Sequence, residues 1–441
     1  MPATPLDSAL YRDLLGDREI AGLFTDAAEL RAMLLVEGAL AEAQAAQGVI
    51  PAESAAVIAR AAREVQIDAA ALASATGRNA VPVPALVAAF REALDAPGHA
   101  QYIHWGATSQ DIMDTGLMLR LRRVLDILAG RLDETLLALA ALADAHAALP
   151  MAARTYGQVA TPTSFGAVAA GWGRPLIALR TRLDALRPRL LQVSLGGAAG
   201  TLAAMGPQGP AVRRAFGEAL GLADPGASWH SERAGIAELS GWLTALTAAL
   251  GRMGEDLVLM TQSGIGEVRL ASGGGSSTMP QKANPVEPSL LVALARHSVG
   301  LDANLQAAAL HRQQRDATAW IVEWLSLPQL SQIAGRALTL AEGVAGGLTP
   351  LPERMAGGLD DGLGLIHAEA LTFVLAHDMP RPEAQSAVTA LCREARETGT
   401  PLARLAAARW PSHDWAGLLT AEAQLGTAPQ DARAFAAAIR G

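Results

Sequence analysis

The stretch SGGGSSTMPQKANP, residues 272–285, is the segment around which this 441-residue chain is organised. Its three consecutive glycines open backbone conformations that other residues rarely adopt, and Pro280 and Pro285 favour extended conformations in the residues before them. Lys282 lies between these prolines and is the only lysine among 35 lysines and arginines. A compact ammonium in a chain that otherwise uses arginine indicates a position that a planar guanidinium would not suit. By itself such a segment is typical of a solvated surface loop, so its functional interpretation depends on the rest of the chain.

The composition predicts helices and excludes several classes of partner. Hydrophobic residues make up 51% of the chain and aromatic residues only 4%, and the abundance of Ala and Leu favours helices over sheets. A net charge of −8 without a basic stripe argues against nucleic acid as a partner. The single cysteine, Cys392, excludes an intramolecular disulfide and a cysteine-rich metal site. We expect neither a metal nor a cofactor.

Neither the N-terminus nor any apolar run predicts export or membrane insertion. Residues 1–17 carry acidic side chains early and lack the layout of a signal peptide. Apolar runs such as residues 239–251 are too short to cross a bilayer. We therefore expect a cytoplasmic protein without a membrane partner.

Three long segments without proline predict long helices. Leucine and valine recur at helical spacing from Leu117 to Leu139, within a proline-free run at 112–149. Residues 238–260 carry few polar side chains, as in a buried helix, and residues 289–327 form the third run. The fold class that follows is all-α, with an elongated central bundle whose apolar faces require a partner subunit.

Proline and glycine become frequent on both sides of this central region. On the N-terminal side, Gly48 and Pro97 are among the residues that separate short helical patterns. We predict an N-terminal helical domain over residues 1–105, a central domain of long helices over 106–350, and a small helical C-terminal domain over 351–441.

Two polar segments that precede helical patterns are candidates for function. They are HWGATSQDIMDTG, residues 104–116, and MAARTYGQVATPTSFG, residues 151–166. Thr108, Ser109 and Asp111 suit the N-capping of the helix that follows them. Because a helix N-terminus is also an anion site, capping and ligand binding are compatible here.

Three further features are weaker candidates. Arg78 lies in the proline-rich turn at residues 75–84, where polar residues usually serve the turn itself. His230 follows Trp229, and a lone histidine is more often a structural hydrogen-bonding partner. The glycine-rich connection at residues 194–210 lacks the spacing of a phosphate-binding loop, so its glycines indicate a turn or a close approach of the backbone.

Residues 275–285, GSSTMPQKANP, resemble the signature G-S-S-x-M-P-x-K-x-N-P of the fumarase/aspartase superfamily at every fixed position. GATSQDIMDT and RTYGQVATPTSFG resemble its other two active-site segments, and the QRD sequence at Arg315 extends the likeness over essentially the whole chain. The resemblance implies a three-domain, all-α fold whose long helices form the twenty-helix core of a homotetramer. It also implies active sites shared between subunits and a small-molecule polycarboxylate substrate.

The resemblance further implies a chemistry. Superfamily members form or break a bond β to a carboxylate through a carbanion, which requires an acid or base at the α-carbon. By the match, Ser276 is that group, and Lys282 is the cation that stabilises its alkoxide. The implied substrate-binding residues, most of them hydrogen-bond donors to carboxylates, are Thr108, Ser109, Thr155, Tyr156, Gln158, Ser277, Asn284, Arg315, Arg78 and His230. Arg315 would act as a bidentate carboxylate clamp from another subunit.

Two departures from the superfamily pattern narrow the reaction. Lyases that eliminate an amine, and fumarase, pair a histidine of the second segment with a glutamate seven residues after the signature lysine. Here those positions hold Tyr156 and Ser289. A reaction that uses the substrate's own carboxylate needs less help, because a carboxylate leaves as a stable anion. The chain therefore most resembles the cycloisomerase branch of protocatechuate catabolism (the β-ketoadipate pathway), which closes a lactone on a tricarboxylate.

Two alternatives remain open. An adenylosuccinate-type or argininosuccinate-type lyase of the same superfamily would need Tyr156 or His230 to replace the missing histidine. A non-catalytic structural relative would need none of Ser276, Lys282 and Asn284, so their presence speaks against it.

Overall fold

The computed structural model describes residues 4–275, 278–359 and 362–441, and over these ranges the chain is predominantly α-helical. The chain divides into two compact units that interleave along the sequence. The first unit comprises residues up to Arg131, Leu179–Ala248 and Leu294–Leu338, and the second comprises Leu132–Ala178, Ala249–Ala293 and Thr339–Gly441. The predicted all-α fold class is confirmed. The predicted division into three consecutive domains stays a prediction.

The N-terminal helices belong to the first unit. They are α1 (Arg12–Leu15), α2 (Arg18–Gly22), α3 (Asp26–Ala46), α4 (Ala52–Glu64), α5 (Ala69–Asn79), α6 (Val83–Leu94) and α7 (Pro97–Ala100), preceded by a 3-10 turn at Pro5–Asp7. The side chains of Asp17, Thr25 and Asp68 cap α2, α3 and α5 by accepting from backbone N–H groups. Gly38 lets α3 pack closely on α4, since a Cβ there would lie 2.9 Å from the Ala62 Cβ.

The central helices include the five longest helices in the described part of the chain. They are α8 (Ser109–Ala145), α9 (Phe165–Leu190), α10 (Gly209–Leu220), α11 (Ala234–Met260), α12 (Val286–Ala308) and α13 (Ala317–Gly347), with a 3-10 turn at Ala203–Gln208. All except α10 contribute residues to both units. The periodic leucines of α8 are buried, as their spacing predicts; Leu121, Leu125 and Leu128 are fully inaccessible.

The third proline-free run is not one helix. It is interrupted between Ala308 and Ala317, and the Asp316 carboxylate caps the start of the next helix. Its Oδ2 accepts from the Arg312 backbone N–H at 3.1 Å and its Oδ1 from the Thr318 N–H at 3.0 Å, the latter at the first turn of α13.

Three antiparallel strand pairs occur in the second unit, although the sequence predicted no strand. They are β1 (Pro150–Thr155) with β2 (Gln158–Ser164), β3 (Val268–Arg269) with β6 (Thr349–Pro350), and β4 (Gly274–Gly275) with β5 (Ala283–Asn284). The hairpin of β1 and β2 corrects the prediction of a polar loop at residues 151–166. β-branched residues alternate in β2 at Val159, Thr161 and Thr163, and such residues suit a strand.

The C-terminal helices belong to the second unit. They are α14 (Pro352–Leu359), α15 (Ala368–Leu375), α16 (Arg381–Thr398), α17 (Leu402–Arg409), α18 (Trp415–Leu418) and α19 (Ala428–Arg440), with 3-10 turns at Leu365–His367 and Glu422–Gln424. Helices α15 to α18 enclose a core that includes Leu371, Leu391, Leu402 and Trp415. Searched over the described residues, no helix is both long and apolar enough to cross a membrane.

Candidate active site

The first polar segment opens α8, and its capping group is Asp111. The Asp111 Oδ2 accepts from the Thr108 backbone N–H at 2.9 Å, which is one half of a capping box. Thr108 and Ser109 remain partly exposed at the start of a 37-residue helix. Partly exposed hydroxyls at a helix N-terminus suit a carboxylate ligand, because the helix dipole and unpaired N–H groups favour an anion there.

Asp111 also holds the glycine-rich connection against α8. Its fully buried carboxylate accepts from the Gly196 N–H at 2.8 Å and the Gly197 N–H at 2.9 Å. A Cβ on Gly196 would lie 2.7 Å from the Ser228 Oγ and 3.0 Å from the His230 ring. The glycines expected to allow a close approach of the backbone therefore do so, and the partner they approach is this carboxylate.

His230 completes the hydrogen bonds of Asp111. Its Nε2 lies 2.7 Å from the Asp111 Oδ1, and its side chain is 2% exposed. The geometry gives His230 the structural hydrogen-bonding role that a lone histidine usually has, and its contact with a substrate stays a prediction.

Arg315 lies beside the start of α8 of its own chain. Its role as a carboxylate clamp supplied by another subunit stays a prediction. The Arg315 Nε donates to the Gln110 Oε1 at 2.9 Å, and Gln110 in turn donates to the His230 carbonyl at 2.9 Å. The Arg315 Nη2 reaches the Ala198 carbonyl at 3.4 Å. Arg315 is only partly buried, so its guanidinium remains accessible to a ligand at the N-terminus of α8. The first unit thus brings Ser109, His230 and Arg315 together through Gln110.

A buried charge network supports this corner and was not predicted from the sequence. Arg233 donates from Nη1 to the Asp114 Oδ2 at 2.7 Å and from Nη2 to the Glu323 Oε2 at 2.5 Å, and all three side chains are at most 2% exposed. Burial raises the pKa of Glu323, and the two carboxylates raise the pKa of Arg233 in spite of its burial. The Trp320 Nε1 donates to the Asp114 Oδ1 at 3.2 Å. Asp114 lies in the DIMD sequence and Arg233 in the SER sequence, but no spacing rule predicts that they pair.

Two further basic residues of the first unit make contacts of their own. Arg78, in the last turn of α5, donates to the Ser74 Oγ at 2.7 Å and is exposed. Its role toward a substrate stays a prediction. His104 contacts the Glu37 Oε1 at 2.7 Å through Nδ1. Burial favours the neutral imidazole, but the Glu37 carboxylate outweighs burial and raises the pKa of His104.

In the second unit, the second polar segment forms the tip of the β1–β2 hairpin. Thr155 pairs with Gln158, and between them Tyr156 and Gly157 have φ angles of 53° and 76°. Two positive φ values in a two-residue loop define a type I′ turn, which favours Asn, Asp or Gly. A tyrosine in this conformation is strained. Its ring is fully exposed, so burial of the ring within the chain does not offset the strain.

An ion pair fixes the base of this hairpin tip. Arg154 binds Glu267 through two contacts, Nη1 to Oε2 at 2.9 Å and Nη2 to Oε1 at 2.7 Å. Glu267 is 1% exposed and lies directly before β3, which leads toward the glycine-rich loop. The pair therefore connects the second polar segment, residues 151–166, to the strand that precedes the signature segment, residues 272–285.

Within the signature segment, residues 272–285, strands β4 and β5 pair with each other. Gly275 lies opposite Ala283, and Gly274 opposite Asn284. Ser276 and Ser277 lie outside the described residues. The described flanks nevertheless place the residue before Ser276 opposite the residue after Lys282. Lys282 itself is exposed, and its backbone N–H donates to the Met279 carbonyl at 3.0 Å.

The two positions of the histidine–glutamate relay hold Tyr156 and Ser289. The Ser289 Oγ donates to the Pro285 carbonyl at 2.7 Å, a local bond within the first turn of α12. Tyr156 is the exposed residue of the hairpin turn. Among the described residues, no group of three or more His, Cys, Asp or Glu side chains is arranged to hold a metal ion.

Comparisons with known proteins agree with this geometry. A family model described as lyase matches residues 17–300. The chain is 41% identical over 381 residues to 3-carboxy-cis,cis-muconate cycloisomerase of Pseudomonas aeruginosa, covering 85% of this chain and 83% of that protein. It is 37% identical over 419 residues to nitrosuccinate lyase of Streptomyces davaonensis, covering 92% and 88%. The crystal structure of 3-carboxy-cis,cis-muconate lactonizing enzyme from Pseudomonas putida matches with a TM-score of 0.92 and 33% identity, covering 98% of this chain and 99% of that chain.

Proposed function

The chain belongs to the lyase family of the fumarase/aspartase superfamily, and we propose that it is a 3-carboxy-cis,cis-muconate cycloisomerase. The observation that carries this choice is the missing relay. Ser289 spends its hydroxyl on the Pro285 carbonyl and Tyr156 occupies the histidine position, so these positions offer no histidine–glutamate pair for an amine leaving group or a water. The names of the similar cycloisomerase and lactonizing enzyme support the same reaction.

The proposed reaction is an intramolecular addition. One carboxylate oxygen of the substrate forms a bond to a carbon of the diene, and the displaced electron pair moves to the carbon α to a second carboxylate. That carboxylate delocalises the charge as an aci-dianion, and fixed donors around it stabilise the charge as it develops. Ser276 then donates a proton to the α-carbon and regains one from solvent. The product is 4-carboxymuconolactone.

The proposed roles of Ser276 and Lys282 rest on the pairing register of β4 and β5. Because Gly275 and Ala283 are paired, the chain brings the neighbours of Ser276 and Lys282 close together. An ammonium near the serine would stabilise its alkoxide, which is otherwise too basic to form near neutral pH. Asn284 and Ser277 would donate hydrogen bonds to a substrate carboxylate.

The tricarboxylate would be held mainly by neutral donors and arginine. Thr108, Ser109 and Arg315 surround the N-terminus of α8, where a carboxylate is favoured. On the hairpin, Thr155, Tyr156 and Gln158 flank or occupy the turn. These donors offer a place for several carboxylates despite the net charge of −8.

The assembly proposed is a homotetramer with active sites shared between subunits. Its support is the apolar surface of the long helices: Leu259, Val299 and Leu325 are 56%, 57% and 63% exposed in the single chain. Exposed apolar side chains on the long helices are consistent with faces that pack against another subunit. The cytoplasm as its location is part of the proposal.

Side-by-side substrate assays test the function. The purified protein is mixed with 3-carboxy-cis,cis-muconate, adenylosuccinate, argininosuccinate and nitrosuccinate in separate reactions, and ultraviolet absorbance is followed. We expect turnover of the carboxymuconate and its loss in Ser276→Ala, with the oligomer unchanged. Turnover of another substrate alone would replace this function by that lyase activity, and no turnover of any would favour a structural relative.

A further inference from the structure

The first unit contains a cavity that the proposed reaction does not use. Its volume is about 520 Å³, within the range of sites for small organic molecules. Its apolar walls come from α3, α5, α8 and α13, with Leu30, Met33, Leu117 and Trp324 among their residues, and from Phe24, which precedes α3. Such walls suit a ligand with an apolar, aromatic body.

One cation of the cavity wall, Arg120, has a buried nitrogen without a hydrogen-bonding partner among the described residues. Arg120 is 9% exposed, and its Nε is buried and makes no hydrogen bond to the described residues. The Glu29 Oε2 lies 3.6 Å from the Arg120 Nη1, which is close enough for an ion pair but beyond hydrogen-bonding distance. The Phe24 ring centroid lies 5.7 Å from the guanidinium. Burial lowers the pKa of Arg120. A buried guanidinium nitrogen without an acceptor is unfavourable, and a carboxylate is the ligand that matches the guanidinium fork.

The remaining charges of the cavity limit how many carboxylates a ligand can carry. Asp26, Glu29, Asp114 and Glu323 also line it. Arg233 neutralises only part of the charge on Asp114 and Glu323, because one cation serves two carboxylates. A second or third carboxylate on the ligand would meet these acidic groups, so a tricarboxylate is a poor occupant.

We infer that this cavity binds an aromatic monocarboxylate, with its carboxylate on Arg120 and its ring among the apolar walls. The site is separate from the polycarboxylate site at the N-terminus of α8, and the inference does not depend on the proposed function. Glu29 competes with the ligand for Arg120, because its carboxylate is ion-paired with the guanidinium.

Calorimetric titration of the purified oligomer with 2-naphthoate tests the site, with 2-naphthamide as its neutral analogue. We expect saturable binding of the naphthoate and at least about tenfold weaker binding of the amide, because the charge-assisted hydrogen bonds are lost. Arg120→Met should weaken naphthoate binding to the level of the amide. Glu29→Gln should strengthen it, by removing the competing carboxylate, while turnover of the substrate stays unchanged.

Three results would overturn the inference. One is the absence of saturable naphthoate binding at millimolar concentration, and another is equal binding of the acid and the amide, which needs no variant and holds even if Arg120→Met fails to fold. The third is competitive inhibition of turnover by naphthoate, which would place the aromatic acid in the catalytic site. Trp324→Phe provides an independent readout, because quenching of fluorescence by naphthoate should decrease when this wall residue is replaced.

Discussion

The Nε2 atom of His230 lies 2.7 Å from the Oδ1 atom of Asp111, and both side chains are buried. The same carboxylate accepts from the backbone N–H groups of Thr108, Gly196 and Gly197. One side chain therefore joins the start of α8, the glycine-rich connection and the segment before α11. This arrangement positions Ser109 and, through Gln110, Arg315.

Replacing His230 by alanine should reduce stability rather than substrate affinity. The change removes one hydrogen bond from a buried carboxylate, which should lower the free energy of unfolding by about 1–3 kcal/mol. His297→Ala, at an exposed position of α12, is the matched control and should have little effect. Chemical denaturation and KM are measured for both variants. A large rise in KM with unchanged stability would instead support the prediction from the sequence that His230 contacts the substrate.

Replacing the strained turn residue Tyr156 should raise the stability of the protein and lower its activity. Tyr156→Asn places a residue that tolerates positive φ at the same turn, so we expect the free energy of unfolding to rise by about 1 kcal/mol. We also expect kcat/KM to fall, because the exposed ring and hydroxyl are lost. Tyr156→Phe keeps the strain and isolates the hydroxyl. Unchanged kcat/KM in both variants would remove Tyr156 from the site.

Breaking the Arg154–Glu267 pair should lower the free energy of unfolding far more than breaking an exposed ion pair. Arg154→Met leaves the Glu267 carboxylate buried without its cation and should cost about 3 kcal/mol or more of unfolding free energy. Arg189 and Glu238 form a pair in which both side chains are about half exposed, and Arg189→Met should cost less than about 1 kcal/mol. Denaturation curves compare the two variants. Equal losses would show that the buried pair has no special role in holding the hairpin.

Stability should depend on pH through His104. Because the Glu37 contact raises the pKa of His104 above its ordinary value of 6.5, the folded chain holds the proton more tightly than the unfolded chain. The stabilisation is therefore fully present below pH 6.5 and is lost as pH rises through the folded-state pKa. His104→Gln should remove this part of the pH dependence in denaturation measured at a series of pH values. A profile identical to that of the unsubstituted protein would contradict the assignment.

The sequence predicted what depends on local pattern. The leucines of α8 lie at helical spacing, and the signature around Lys282 is contiguous, so both could be recognised from the sequence alone. The β1–β2 hairpin was missed because the short strands contain proline and arginine, and because Tyr156 is not a residue that a type I′ turn favours. The break between α12 and α13 was also missed, because residues 309–316 contain neither proline nor glycine.

Contacts between distant residues could not be predicted in the same way. His230 lies 119 residues after Asp111, and Glu267 lies 113 residues after Arg154. Each pair depends on how helices and loops pack, and the sequence offers no spacing rule for them. The Arg120 cavity has the same origin, because four helices far apart in sequence form its walls.

The most direct test of the central claim is the origin of the atoms added during turnover. The reaction of 3-carboxy-cis,cis-muconate is run in deuterated water enriched in oxygen-18, and the product is analysed by mass spectrometry after exchange of its carboxyl protons. An intramolecular lactonisation with a protonated carbanion predicts a product with a single carbon-bound deuterium and no oxygen-18. Incorporation of oxygen-18, or conversion without carbon-bound deuterium, would contradict the proposed mechanism.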